Sequence, residues 1–229
     1  MSGLTPFLIF KLPQIRSTIH DCIVPIHLIG GTMKLLIFIF LFLSSVCFAD
    51  NNLELLVSPE EISKKIKEVA ATIDQQYADQ DLTVIMVMKG AVCVTSDLIR
   101  QLHIPVTLEY MKASSYGKNG TSRGELRITG LDTLDLTNKN ILVIDDIFDS
   151  GFTMETIVQR LQEKKPKSVK TLVLLAKKIP RETSYRPDFT LFEIGNRFIV
   201  GYGLDYKEHY RGLNGVYAFI NDTPPAVLN

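Results

Sequence analysis

From residue 58 onward the chain alternates amphipathic stretches with short, continuous apolar runs. Ser58-Pro59-Glu60-Glu61 has the form of a helix start: a serine N-cap, proline at the first helical position, and a glutamate that closes a capping box. Ile62, Ile66, Val69, Ala70 and Ile73 follow at helical spacing and define one buried stripe. Residues 82–88 form an apolar run, as in a strand buried on both faces. Lys89-Gly90-Ala91 breaks that run, and a helix is expected through Leu98 to about Leu102. Residues 105–110 read as the next strand. Residues 114–124 are polar and glycine-rich, and form either a mobile lid or a plain surface loop. Ile141–Ile144 is a third buried strand, followed by a helix from Met154 to about Lys164 and a fourth strand at 169–176. Strands that alternate with helices imply a mostly parallel α/β sheet with helices on both faces. Beyond Lys178 the pattern changes. Residues 189–194, 197–200 and 216–220 read as short strands of a small cap, or hood.

The chain has 229 residues, 46% of them hydrophobic, enough for one domain with a real core. Lys plus Arg and Asp plus Glu number 25 each, so the chain lacks the basic footprint that nucleic acid requires and no nucleic-acid partner is expected. Cys22, Cys47 and Cys93 have neither metal nor disulfide spacing, the four histidines form no ligand cluster, and no zinc site is expected. Cys93 reads as a small buried apolar residue. The first fifty residues differ from the rest. Met33-Lys34 precedes the apolar run Leu35–Leu43, and small residues lead to Ala49-Asp50, a pattern like a secretory signal. The run is short for a membrane span, which needs about 20 residues. The expected organisation is a non-catalytic extension over 1–49, with signal-like segment 33–49, and a catalytic domain over 50–229.

The chemistry concentrates in residues 141–153. Four apolar residues lead to Asp145-Asp146, and Asp149-Ser150-Gly151-Phe152-Thr153 then opens a helix. Free backbone N–H groups and the positive end of a helix suit a phosphate there. The flanking acids can hold ribose hydroxyls or magnesium, or accept a proton. Asp149 on spacing alone is equally a helix N-cap. The run resembles the phosphoribosyl-pyrophosphate (PRPP) signature of the purine phosphoribosyltransferases.

Further segments narrow the resemblance: Val87-Met88-Lys89-Gly90, Ala113-Ser114-Ser115-Tyr116-Gly117, Ala176-Lys177-Lys178, and Phe198 through Tyr206 to Arg211. Together, over about residues 55–222, the chain resembles the hypoxanthine-guanine phosphoribosyltransferases, of type I fold. The resemblance implies transfer of phosphoribose from PRPP to N9 of a 6-oxopurine, with Mg²⁺. It gives Asp149 the role of general base near purine N7. Ser150, Gly151, Phe152 and Thr153 become the 5′-phosphate loop, Phe152 by its backbone N–H alone. Asp145 and Asp146 would hold the ribose hydroxyls and serve with Asp205 at the metal, Asp205 through water. Many relatives carry Glu where this chain has Asp145, so its reach is shorter by a methylene. Lys89 and Gly90, the former after a candidate cis peptide, together with Arg211 would grip pyrophosphate. Lys177, rather than its neighbour Lys178, would donate to purine O6; a donor-only ammonium disfavours the 6-amino group of adenine. Phe198 would stack on the base, though its position alone fits a core phenylalanine. Ile199 and Asp205 would offer carbonyls to the base edge, and Ser115 and Tyr116 would belong to a closing lid.

The resemblance also implies a homo-oligomer, dimer or tetramer, and PRPP supply implies the cytoplasm; export or membrane attachment through 33–49 is the alternative. Two other classes compete. One is a non-catalytic RNA-binding regulator on the same fold, which zero net charge disfavours. The other is a phospho-acceptor receiver domain, which leaves the phosphate loop and lid without a use.

Overall fold

In the computed structural model, residues 52–115, 126–181 and 183–220 are described, all within the unit Asp50–Asn229. The expected capping box forms. Ser58 Oγ accepts from Glu61 N–H at 3.2 Å, and Glu61 Oε2 accepts from Ser58 N–H at 2.8 Å. Two of the orphan donors at the helix start are thereby satisfied. Helix α1 (Pro59–Gln76) then buries Ile62, Ile66, Ala70 and Ile73, the stripe read from the sequence.

Six strands make the main sheet: β2 (Leu82–Met88), β3 (Val106–Ser115), β4 (Leu126–Thr129), β5 (Asn140–Phe148), β6 (Ser168–Lys177) and β7 (Phe189–Ile194). Their order is β4-β3-β2-β5-β6-β7, parallel throughout except for the antiparallel edge pair β3–β4. α1 and α2 (Val92–Ile99) cover one face with Leu82, Val84, Leu142 and Ile144. α3 (Phe152–Gln162) covers the other with Ile85, Val87, Ile141 and Val143. Alternate residues of each central strand thus face two different cores, which is why these strands lack polar alternation.

A second sheet of three strands, in the order β1-β9-β8, is antiparallel: β1 (Leu53–Val57), β9 (Val216–Phe219) and β8 (Ile199–Val200). This is the hood, and it departs from the sequence reading in two respects. β1 was not anticipated, because its partner lies more than 150 residues away and leaves no local sign. Residues 189–194, assigned to the cap, instead continue the main sheet as β7 beside β6. Reciprocal bonds between Thr171 and Asp188 set that register. Thr171 N–H donates to Asp188 Oδ2 at 2.9 Å, and Asp188 N–H to Thr171 Oγ1 at 3.1 Å.

Two other boundaries moved. β3 runs on to Ser115 and pairs with β4, so a hairpin frames the glycine-rich segment. β5 runs on to Phe148, which puts Asp145 and Asp146 inside the strand rather than in a loop after it. Tyr116 and residues 33–49 lie outside the described residues. Among the described residues no helix is long and apolar enough to cross a membrane.

Candidate active site

A cleft of about 330 Å³ opens where β2 and β5 end. From β5 come Asp145 and Asp146, from the following loop Asp149, Ser150 and Gly151, and from the first turn of α3 Thr153. Lys89 and Gly90 arrive from the end of β2, and Asp205 and Arg211 from the segment between β8 and β9. Three stretches separate in sequence therefore converge. A larger cleft of about 590 Å³ lies between α1, α2 and residues 202–214. It shares only Arg211 with the first and holds neither the acids of β5 nor the loop before α3, so the smaller one is the candidate site. Cys93 lines the larger cleft; burial, then the nearby Asp97 charge, pushes its thiol up, consistent with an inert side chain.

Asp145 is 8% exposed and Asp146 half-buried. Burial, and then the charge of Asp146, hold the Asp145 carboxyl well above its ordinary range. Burial also raises Asp146, opposed by hydrogen bonds and by Arg211. Each carboxylate accepts a backbone bond, Asp145 Oδ1 from Asp146 N–H at 3.0 Å and Asp146 Oδ1 from Ile147 N–H at 2.9 Å. Gly90 is the reason Asp146 fits: a Cβ at residue 90 would fall inside the Asp146 carboxylate. The Met88–Lys89 peptide that leads into this contact is cis, as the family resemblance implied.

The loop before α3 is built on a left-handed glycine. Gly151, φ +91°, is the N-cap of α3 and supplies no side-chain cap. Asp149 is exposed, lines the cleft and does not cap the helix, so the alternative reading of Asp149 as N-cap fails. No side chain caps the start of α3, and the positive end of the helix faces the loop that lines the cleft. Phe152 starts the helix and does not line the cleft.

On the far side, Arg211 Nη1 donates to the Gly203 carbonyl at 2.8 Å, and Nη2 pairs with Asp205 Oδ1 at 2.8 Å. Asp205 Oδ2 accepts from Glu208 N–H at 2.8 Å, so both Asp205 oxygens are engaged. Glu208 also meets Lys89 Nζ at 2.9 Å and Arg211 Nη2 at 3.2 Å. Glu208 went unnoticed in the sequence; its spacing of three from both Asp205 and Arg211 was the available signal.

Of the expected purine residues, Asp205 lines this cleft, whereas Lys177, Phe198 and Ile199 do not. Lys177 ends β6, and its carbonyl accepts from Arg181 at 3.5 Å. Lys178 pairs outward with Glu193 at 3.4 Å, with both side chains more than half exposed. Phe198 is 40% exposed and is seated against Tyr206 and Phe219, with centroids at 5.5 and 5.8 Å. Ile199 is buried in β8, paired with Ala218. Ser115 is the last residue of β3.

An α/β sheet that brings a buried acid pair and a glycine loop at a helix start to one strand end is the arrangement expected of a phosphoribosyltransferase, and residues 55–207 match the phosphoribosyl transferase domain family. The chain is 40% identical over 166 residues to a hypoxanthine-guanine phosphoribosyltransferase of Aquifex aeolicus, covering 72% of this chain and 93% of that protein. It is 40% identical over 175 residues to the Bacillus subtilis enzyme of the same name, covering 76% and 94%. Among solved structures, a Staphylococcus aureus hypoxanthine phosphoribosyltransferase superposes with TM-score 0.72 at 31% identity, covering 78% of this chain and 97% of that one. A Trypanosoma cruzi hypoxanthine phosphoribosyltransferase, studied for the role of its C-terminal region in oligomeric state and activity, gives 0.68 at 33%, covering 74% and 92%. The chain belongs to the hypoxanthine-guanine phosphoribosyltransferase family.

Proposed function

We propose that this chain transfers the 5-phosphoribosyl group of PRPP to N9 of hypoxanthine and guanine, a purine salvage reaction that yields IMP or GMP and pyrophosphate. The observation that carries it is the convergence of Asp145, Asp146, Asp149, the loop before α3, Lys89-Gly90 and Arg211 on one cleft, in a chain of this family. The RNA-binding alternative gains no support from the comparisons.

In the reaction the bond from ribose C1 to pyrophosphate breaks and the bond from C1 to purine N9 forms. Asp149, exposed and uncommitted to the helix, accepts the proton that the base loses at N7. Backbone N–H groups at the start of α3, with the Ser150 and Thr153 hydroxyls, receive the 5′-phosphate. Asp145 and Asp146 accept from the ribose hydroxyls. The buried Asp145 carboxyl faces the like charge of Asp146, so the pair gains by receiving donors or a cation. Lys89 and Arg211 take the pyrophosphate oxygens. Lys177 donates to purine O6, Phe198 stacks on the base, and the carbonyls of Ile199 and Asp205 face its edge. Ser115 and Tyr116 belong to the segment that closes over PRPP.

The acid pair also fits Mg²⁺, which, when bound, would neutralise charge on pyrophosphate. Among the described residues no three metal-ligating side chains converge. A cation here would share its coordination with substrate oxygens and water, as magnesium commonly does. Asp205, with both oxygens engaged, fits contact through water.

The working unit is a homo-oligomer, dimer or tetramer. Leu108 and Tyr110 share one face of β3 and are 46% and 63% exposed, an apolar surface that a second copy would cover. Light scattering tests this. The site of action is the cytoplasm, where PRPP is supplied; fractionating the native host tests that. For the activity, the assay is turnover with PRPP, magnesium and each purine in turn. Adenine should give kcat/KM at least about 100-fold below hypoxanthine. Equal turnover would remove Lys177 from its role, and no turnover with any 6-oxopurine would refute the function.

A further inference from the structure

The two cations assigned to pyrophosphate are already holding an anion. Lys89 Nζ lies 2.9 and 3.0 Å from the two carboxylate oxygens of Glu208, and Arg211 Nη2 lies 3.2 Å from Glu208 Oε2. One carboxylate thus ties the turn after β2 to a segment 119 residues later.

The backbone around Glu208 makes this placement informative. Tyr206 and His209 exchange backbone hydrogen bonds at 3.1 and 3.0 Å across a two-residue turn. Lys207 and Glu208 occupy its centre with φ of +50° and +68°. That is type I′ geometry, which favours Asn and Gly because a Cβ is crowded there. A glutamate holds the position instead, and its side chain goes to the two cations. No step of the reaction derived above uses it.

We infer that Glu208 is an internal stand-in for pyrophosphate. It holds Lys89 and Arg211 at the cleft in the free chain, yields them to the diphosphate of PRPP, and retakes them as pyrophosphate leaves. The inference rests on the phosphoribosyl-transfer function. A carboxylate offers two oxygens to the same donors that a phosphate group would engage. The contact is suited to exchange, because the Lys89 and Glu208 side chains are 51% and 64% exposed and water screens their attraction. Arg211 is less mobile: its side chain is 24% exposed and is held separately by Gly203 and Asp205, so it stays in place while Glu208 swings out.

Glu208→Gln in the full chain tests this, because it keeps the shape and removes the competing charge. With magnesium pyrophosphate as the probe, calorimetric titration should show binding tightened by about 3- to 10-fold, the scale of exposed ion pairs. The KM for PRPP should fall in step, pyrophosphate should become a stronger product inhibitor, and the KM for hypoxanthine should not change. Glu208→Asp, one methylene shorter and unable to reach both cations from this turn, should tighten binding by an intermediate factor. A purely structural Glu208 predicts the opposite sign: both variants would bind pyrophosphate equally or more weakly, and that result overturns the inference. If the unaltered chain binds neither PRPP nor pyrophosphate, the function itself fails. If it binds both and the variants bind no tighter, only the stand-in role fails.

Discussion

Asp145→Asn should make the free chain more stable while impairing the enzyme. The Asp145 carboxyl is 8% exposed, lies against a second carboxylate, and is held well above the ordinary 3.8 by burial and by that neighbour. Its folded state therefore binds a proton more tightly than its unfolded state. For such a group, stability is full below the unfolded value and is lost as pH rises through the folded one. At neutral pH the chain carries this cost. Asparagine keeps the acceptor that Asp146 N–H uses at 3.0 Å, removes the charge, and offers an amide donor toward Asp146. Burying this charge beside a like charge costs about 1–3 kcal/mol, so relieving it should raise Tm by roughly 2–10 °C for a domain of this size. Thermal melts near pH 7.5 and near pH 4 make the test, because protonation already relieves the unaltered pair in acid. The gain should be large at the higher pH and small at the lower. Meanwhile kcat/KM for PRPP should fall roughly 10- to 100-fold, the scale of a lost charged hydrogen bond. A variant no more stable than the parent at neutral pH, or equally stabilised at both, would refute the uncompensated charge.

Three further outcomes are expected. Asp149→Asn should lower turnover by about 100-fold or more with PRPP affinity less affected, since a general base is lost and the loop geometry kept; near-normal turnover in steady-state assays would remove Asp149 from catalysis. Gly90→Ala should cost about 1–3 kcal/mol by overpacking and abolish most PRPP binding, because its Cβ meets the Asp146 carboxylate, whereas Gly195→Ala, with nothing within 4 Å, should be mild in the same melts. A chain beginning at Asp50 should fold, turn over and stay in solution better than the full chain, since Leu35–Leu43 is an apolar run and all the site residues lie beyond it; loss of activity in that shorter chain would show that residues 1–49 are needed.

Much of this protein was legible in its residue order, and the reason is that those features are local. The capping box at Ser58, the two-sided apolar strands, the acid pair and the glycine before α3 each depend on neighbours within a turn or a strand. The motif series from Lys89 to Arg211 likewise named the family from short segments. Where the acids sit was less legible, because strand ends are set by partners: β5 pairs with β6 out to Phe148 and so buries Asp145 in the sheet. Tertiary structure alone decided that β7 joins the main sheet, since its register rests on Thr171 and Asp188 rather than on any periodicity. It alone matched β1 with β9 across the length of the domain. It alone set Gly90 against Asp146, and delivered Glu208 to Lys89 from 119 residues away. Pairings at such separation depend on chain closure and packing, and a local pattern of residues carries no trace of them.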